Sequence, residues 1–585
     1  GGKVDVVIAD QQKDAKVSKD GKWRLDLEPM TAGGPFELSI IGQDTINCEN
    51  ILIGEVWVCS GQSNMEMALR GLGKFDNHRE EISNADYPNI RLFQVIHTTS
   101  TVPLDSINCP GWDVCSPATI PEFSSVAYFF GRKVFKELGV PVGLIHTSWG
   151  GTPAESWTSA GALKEMPDFR KVVESMESTV SEQKQTLEEY QQELKLRDEK
   201  IQSLDAGFEN GNAIWNTPHL DLTDWKTMNL PTKWEKAGYP SLDGIMWFRK
   251  EINLPGSMVG TDLTLHLGPI NDIDITWFNG QKVGGISGAD IPRKYSIPKS
   301  MVKSGKNVIV VRVEDIAYTG GLWGTAEQMF IENTKGGKIS LAGRWSNKIG
   351  FDSKVLGPRP HSPKDPNRPT VLFNAMIYPL LPFAIQGAIW YQGEANAGRA
   401  FQYQTLFPTM IKDWRNQWQQ GDFPFLFVQL ANFMEQKKQP QDDDWAELRE
   451  AQLKALSLPN TGMAVAIDIG DALDIHPKNK QEVGRRLALN ALKLVYEQDI
   501  AQCGPIYKSK TIEGNKIHLT FSHVYDGLRT TAGEELRGFA IAGADSVFHW
   551  AQAEINGNKV VVWNDDISIP AAVRYAWASH PVCNL

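Results

Sequence analysis

No stretch of the 585-residue chain reaches the ~18 consecutive apolar residues of a membrane-crossing helix. The first residues, Gly1-Gly2-Lys3-Val4, lack the basic and apolar regions of a secretory leader. Because the chain opens inside β-like sequence, the expectation is a periplasmic or extracellular protein whose leader, and the start of its first domain, have been removed. Lysine and arginine form no phosphate-tracking run. With 59 basic and 70 acidic residues the formal charge is −11, which excludes nucleic acid and anionic membrane as partners. Cysteine is scarce. The six, Cys48, Cys59, Cys109, Cys115, Cys503 and Cys583, contain no C-x-x-C pair, which argues against metal binding and leaves room for one or two bridges, Cys109 to Cys115 first among them. What remains is an ordinary globular composition, 41% hydrophobic and 22% charged, too long for one core and sized for about three or four domains.

Hydrophobic patterning sets the order of those domains. Residues 1–50 read as part of a small β-sandwich, with strands at Val4–Ala9, Trp23–Leu27 and Phe36–Ile41 between Gly-Gly and Lys-Asp-Gly turns. From residue 51 to 207 strands alternate with helices: Val56-Trp57-Val58, a Gly-Gln-Ser turn and a helix, Ile90–Val95, the helix Ser125–Leu138, then Val142–Thr147. Strands separated by helices imply a parallel sheet covered on both faces. Within this part, residues 160–205 are charged and carry Val173, Met176, Val180, Leu187, Tyr190, Leu194, Ile201 and Leu204 at heptad spacing, with Gln183 and Arg197 in the gaps. The stripe reads as a helix or hairpin packed on its own domain, and otherwise as a coiled-coil contact between copies. Residues 208–341 turn β-rich again and form an inserted sandwich. The α/β pattern resumes over 342–505, with strands Gly387–Tyr391, Phe425–Leu430 and Met463–Ile467 and helices Tyr403–Trp418, Trp445–Leu456 and Lys480–Tyr496. A β-rich segment, 506–585, closes the chain. The α/β domain is therefore discontinuous.

Chemistry gathers where its strands end. Gly61-Gln62-Ser63-Asn64-Met65 follows the first of them, so Ser63 lies at the carboxyl edge of the sheet with its N–H at a helix start. Taken alone, Ser63 is equally a helix N-cap, and Met65 departs from the Gly-x-Ser-x-Gly elbow. Far along the chain, Asp468-Ile-Gly-Asp471-Ala-Leu-Asp474-Ile-His476-Pro477 follows another strand. A serine needs a base near neutrality, and a histidine steadied by a carboxylate is one. The acidic cluster lacks the second His or Cys of a metal site. Backbone donors for an oxyanion lie in His146-Thr-Ser-Trp149-Gly150-Gly151-Thr-Pro-Ala-Glu-Ser-Trp157, and a side-chain amide in Trp390-Tyr391-Gln392-Gly393-Glu394-Ala-Asn396. Each alone is a Gly turn with a cap; four in one sheet point to an acyl-transfer site.

Those four segments closely resemble the sialate O-acetylesterase group of the SGNH hydrolases, flavodoxin-like α/β serine esterases, and the likeness spans nearly the whole chain. The resemblance implies Ser63 as nucleophile and His476 as general base, with no cofactor and no metal. Asp474 is the implied orienting carboxylate, although many SGNH enzymes place it where Leu473 stands here; Asp471 or a backbone carbonyl is the reserve. The family's Gly-x-Asn-Asp block appears as Gln392-Gly393-Glu394, which makes Gln392 the side-chain oxyanion donor and Asn396 the second choice. Ser63 and Gly151, or Gly150, supply the backbone donors.

The substrate implied is an O-acetylated sugar or glycan, sialate first and xylan or xyloglucan as the alternative. Trp149, Trp157, Trp390 and Tyr391 flank the motifs as stacking surfaces, with core packing expected of at least half. Glu394 and Asn396 are further contact candidates. Arg399 and Arg449 are the cations that would meet a sialate carboxylate, or else structural ion-pair partners. The insertion, through Trp247, Trp277-Phe278-Asn279-Gly280 and Gly320-Gly321-Leu322-Trp323-Gly324, resembles galactose-binding-like sandwiches. Two competing classes are a non-catalytic carbohydrate-binding protein and a glycosidase using Glu394 with an aspartate. Oligomeric state is not legible.

Overall fold

Trp57, Val58 and Cys59 are fully buried, as an apolar run must be when its strand is covered on both faces. In the computed structural model, which describes residues 2–71, 77–182, 187–239, 242–289, 291–316, 320–356, 362 and 364–585, that run belongs to the strand Glu55–Gly61. It lies at the middle of a seven-stranded sheet. The order is Thr461–Val465, Phe425–Gln429, Gly387–Tyr391, Glu55–Gly61, Val142–Ser148, Tyr87–Gln94 and Trp112–Cys115; all neighbours are parallel except the last pair. The direction of chain order reverses between Glu55–Gly61 and Gly387–Tyr391, the crevice where open α/β sheets bind ligands.

Helices cover both faces. Ser125–Leu138 starts where the Ser124 hydroxyl accepts from the Ala127 N–H and stops at left-handed Gly139, so its limits match the sequence reading. It packs on Lys480–Leu494 so closely that a Cβ on Gly484 would stand 2.6 Å from the Phe129 Cβ. Asp443 and Asn479 cap Asp444–Lys454 and Lys480–Leu494 with their side chains.

The chain divides into two compact units, Gly1–Lys184 with Lys364–Leu585, and Gln185–Pro363. The first contains the α/β sheet, a four-stranded antiparallel sheet near the N-terminus, and four- and three-stranded antiparallel sheets after residue 505 around Ile517, Phe539, Ile541 and Val560. In the N-terminal sheet the expected strand Trp23–Leu27 is irregular; its places are taken by Gln11–Lys16 and Thr45–Ile53. The second unit carries two six-stranded antiparallel sheets that share one core through Phe248, Val311, Leu265 and Ile331.

The heptad stripe is divided between the helices Pro167–Glu182 and Leu187–Leu204. Gln183 lies outside the described residues, as do the side chains of Val180 and Leu187. Val173 and Met176 pack into the α/β core, Ile201 packs against the Trp247–Trp277 cluster, and Leu204 is exposed. Each half thus serves its own unit. The expected Cys109–Cys115 bridge is absent and all six cysteines are free; Cys115 is buried with its sulfur directed to the Ala85 carbonyl. Among the described residues no helix is long and apolar enough to cross a membrane.

Candidate active site

The turn after Glu55–Gly61 leaves no space for a side chain at Gly61, where a Cβ would stand 2.1 Å from the Tyr391 carbonyl oxygen and φ is +141°. The close approach carries the chain over the sheet edge into a single helical turn, Ser63–Glu66, shorter than the helix expected. Gln62 occupies the cap position, so Ser63 is not a cap. Its hydroxyl oxygen instead lies 3.0 Å from His476 Nε2.

His476 stands in the loop beyond Thr461–Val465, and the three aspartates before it have separate tasks. Asp468 pairs with Arg486 at 2.5 and 2.7 Å. Asp471 accepts the Leu473 N–H at 2.8 Å. Asp474 accepts the backbone N–H of His476 at 2.9 Å and lies 3.3 Å from its Nδ1. Leu473, three residues before His476, is 90% exposed. Burial and the charge of Lys480 push the imidazole below its ordinary range, against the pull of Asp474, so the ring is neutral near pH 7. The acidic cluster is thereby consumed, and no metal-binding cluster occurs among the described residues.

Two backbone N–H groups in these turns remain unspent. Ser63 is the first residue of its helical turn, and neither its N–H nor that of Gly151 meets an acceptor among the described residues. The N–H of Gly150 is taken by Glu66, which removes Gly150 as a donor. A Cβ on Gly150 would lie 3.3 Å from the Ser63 Cβ, which places this turn against Ser63. Glu66 is also 3.0 Å from His97 Nε2, and the His97 ring stacks on Trp149 with centroids 4.1 Å apart. Burial raises Glu66, but the bond and charge of His97 outweigh it and the carboxyl titrates below its usual range; His97 is raised, first through its bond to Glu66.

Burial and bonding correct several of the assignments made from sequence. Gln392, expected as the side-chain oxyanion donor, is fully buried, and its amide nitrogen is spent on Asn396 Oδ1 at 2.6 Å and the Thr152 carbonyl at 3.3 Å. Asn396 is equally committed, donating to Glu155 at 3.0 Å and accepting from the Ala154 N–H. Arg399 is the ion-pair partner of Glu155 at 2.7 Å. Trp157 and Trp390 are core residues, 6.1 Å apart edge to face, whereas Trp149 is half-buried. Arg449 is buried and donates to the carbonyls of Ala576 and Ala578. Glu394 accepts from Asn64 at 2.5 Å, and its other oxygen is buried without a partner among the described residues, a poor arrangement for one of a glycosidase's paired carboxylates.

Gln62 was not singled out from sequence. Its side-chain oxygen accepts the N–H groups of Ala395 at 3.1 Å and Gly393 at 3.4 Å, which fixes the amide while its nitrogen has no acceptor among the described residues. The adjacency to Ser63 was the available signal. Glu66 falls one helical turn after Ser63, a spacing that could also have marked it; His97 lies in a polar loop with no pattern.

Residues 370–493 match the family of carbohydrate esterases described as sialic acid-specific acetylesterases. The chain is 26% identical over 597 residues to the sialate O-acetylesterase of Mus musculus, spanning 96% of this chain and 80% of that one. Against the Homo sapiens sialate O-acetylesterase the identity is 23% over 598 residues, covering 96% and 77%. A solved carbohydrate acetylesterase from Xanthomonas citri aligns with 100% of this chain and 90% of its own at 25% identity, with a TM-score of 0.62. The resemblance read from the four motifs is borne out.

Proposed function

Because the chain is a carbohydrate esterase, we propose that it removes O-acetyl groups from sialic acid by a serine mechanism, with Ser63 as nucleophile, His476 as general base and Asp474 as the carboxylate that orients it. The observation that carries this reading is the 3.0 Å approach of His476 Nε2 to the Ser63 hydroxyl, with Asp474 on the other ring nitrogen. In the proposed cycle the Ser63 O–H donates its proton to Nε2 while the oxygen attacks the acetyl carbonyl. The Nδ1–H faces Asp474, which favours the tautomer with a free Nε2 lone pair and steadies the imidazolium. The N–H groups of Ser63 and Gly151 receive the oxyanion, joined by the Gln62 amide in the role first given to Gln392. Collapse expels the sugar oxygen, protonated by His476, and leaves acetyl-Ser63; water deprotonated by His476 then releases acetate.

The SGNH assignment is supported by five strands, Val142–Ser148, Glu55–Gly61, Gly387–Tyr391, Phe425–Gln429 and Thr461–Val465, which run in the flavodoxin-like order 2-1-3-4-5. Tyr87–Gln94 and Trp112–Cys115 extend that order at one edge. We assign the two-sheet unit to the galactose-binding-like class and the enzyme to the periplasm or the extracellular space, where acetylated glycans are met. Sialate is preferred because the matching family and the mammalian relatives carry that name; the Xanthomonas protein is named for carbohydrate in general. Acetate release from matched O-acetylated sialosides, xylan and xyloglucan oligosaccharides tests the substrate. Preference for the sialosides is expected, and preference for either plant glycan would transfer the assignment.

A further inference from the structure

Lys480 opens the helix Lys480–Leu494, where unpaired N–H groups make the helix end positive and disfavour a cation, yet the residue is 1% exposed. No carboxylate among the described residues lies within ion-pair distance of its ammonium. It donates instead to Asn64 Oδ1, with the Tyr391 ring centre 5.6 Å away. The Asn64 amide nitrogen donates in turn to Glu394 Oε1 at 2.5 Å and to the Ile475 carbonyl at 3.2 Å. Asn64 follows Ser63, and Ile475 precedes His476. One buried side chain therefore joins the two segments whose separation sets the distance from nucleophile to base.

We infer that Lys480 is a positioning residue of the esterase, clamping the Ser63 turn to the His476 loop through Asn64. Its charge adds to the burial that holds the His476 imidazole below its ordinary range. The inference rests on the reading of Ser63 and His476 as nucleophile and base. The charged and titratable groups facing Lys480 are Glu394 and Tyr391 from the strand end Gly387–Tyr391 and its turn, and Asp474 and His476 from the histidine loop. Glu394 and Asp474 oppose the burial that lowers the Lys480 ammonium to about 7, so part of the charge persists at neutral pH. Glu394 is itself raised by burial.

Two variants separate clamp from charge. Lys480→Met removes both; Lys480→Gln keeps a donor for Asn64 and removes the charge. Loss of the clamp is expected to lower kcat ~10–100-fold in Lys480→Met with KM little changed, because small misplacements of reacting groups are costly. Lys480→Gln should recover part of kcat. In both, the acid limb of the kcat/KM profile should move to higher pH, by about half a unit or more, since removing a cation favours the imidazolium. Asn64→Ala combined with Lys480→Met should lose little more than Asn64→Ala alone. NMR titration of the His476 ring in Lys480→Gln reads the same shift without reference to turnover. An unmoved His476 titration in folded Lys480→Gln, or additive losses in the double variant, would overturn the inference. Full activity of Ser63→Ala would overturn the mechanism beneath it and leave the NMR result standing.

Discussion

His476 Nε2 stands 3.0 Å from the Ser63 hydroxyl across 413 residues of sequence, and Asp474 lies 3.3 Å from the opposite nitrogen of the same ring. Each position should carry a different weight. Ser63→Ala or His476→Ala is expected to lower kcat on the order of 10⁴–10⁶-fold, and Asp474→Ala less, since serine and base act as a unit. Asp471→Ala is the control: its carboxylate caps the Leu473 N–H, and activity should stay within about twofold of wild type. Steady-state kinetics on p-nitrophenyl acetate gives the ranking, and a larger loss for Asp471 than for Asp474 would reverse the assignment.

The pH profile follows from the base. His476 must be neutral to accept the serine proton, and its imidazole is held below the ordinary value of 6.5. Activity should rise with pH, reach half its plateau below 6.5 and stay flat through neutrality. A midpoint above about 7 in kcat/KM would exclude this histidine environment.

Glu66 and His97, an ion pair whose side chains are about one-third exposed and so partly screened by solvent, predict a pH-dependent contribution to stability. His97 is raised in the folded state, so its contribution is full below the unfolded histidine value and fades as pH rises through the folded one. Glu66 is lowered, so its contribution is full above the unfolded glutamate value and fades as pH falls through the folded one. The difference in urea midpoint between wild type and His97→Ala should therefore be greatest between about pH 4.5 and 6.5. A difference independent of pH would show that the pair acts through packing alone.

Gln62 and Gln392 should differ in what their loss does to turnover. Gln62→Ala removes a donor beside Ser63 and also strands the N–H groups of Ala395 and Gly393, so it is expected to cost ~10²–10³-fold in kcat together with about 1–3 kcal/mol of stability. Gln392→Ala strands the Tyr403 hydroxyl, which donates to Gln392 at 2.9 Å, and should cost about 1–3 kcal/mol of stability. Kinetics on the folded variants separates the two, and a larger loss of kcat in Gln392→Ala than in Gln62→Ala would restore Gln392 as the donor.

The contrast between those two glutamines also shows how far the sequence is legible. Apolar runs such as Gly387–Tyr391 mark buried strands because a covered sheet admits little else, and the residues just beyond them mark the site. An amide at a strand end reads the same whether its nitrogen faces a substrate or, as in Gln392, a neighbouring carbonyl. Gln11–Lys16 carries little apolar signal, with Ala15 alone of its residues buried, so its pairing with Lys3–Ile8 was invisible. Trp23–Leu27 alternates like a strand yet pairs with no strand among the described residues. Lys480 was legible as the start of a helix; that its ammonium turns inward to Asn64 depends on a contact 416 residues distant.

The most direct test of a serine mechanism is acid quenching of wild type and Ser63→Ala during turnover of an O-acetylated sialoside, followed by peptide mass spectrometry. The account predicts an acetyl group on Ser63 in the wild type, with no adduct and no acetate release in the variant. Acetate release by Ser63→Ala at the wild-type rate would contradict it.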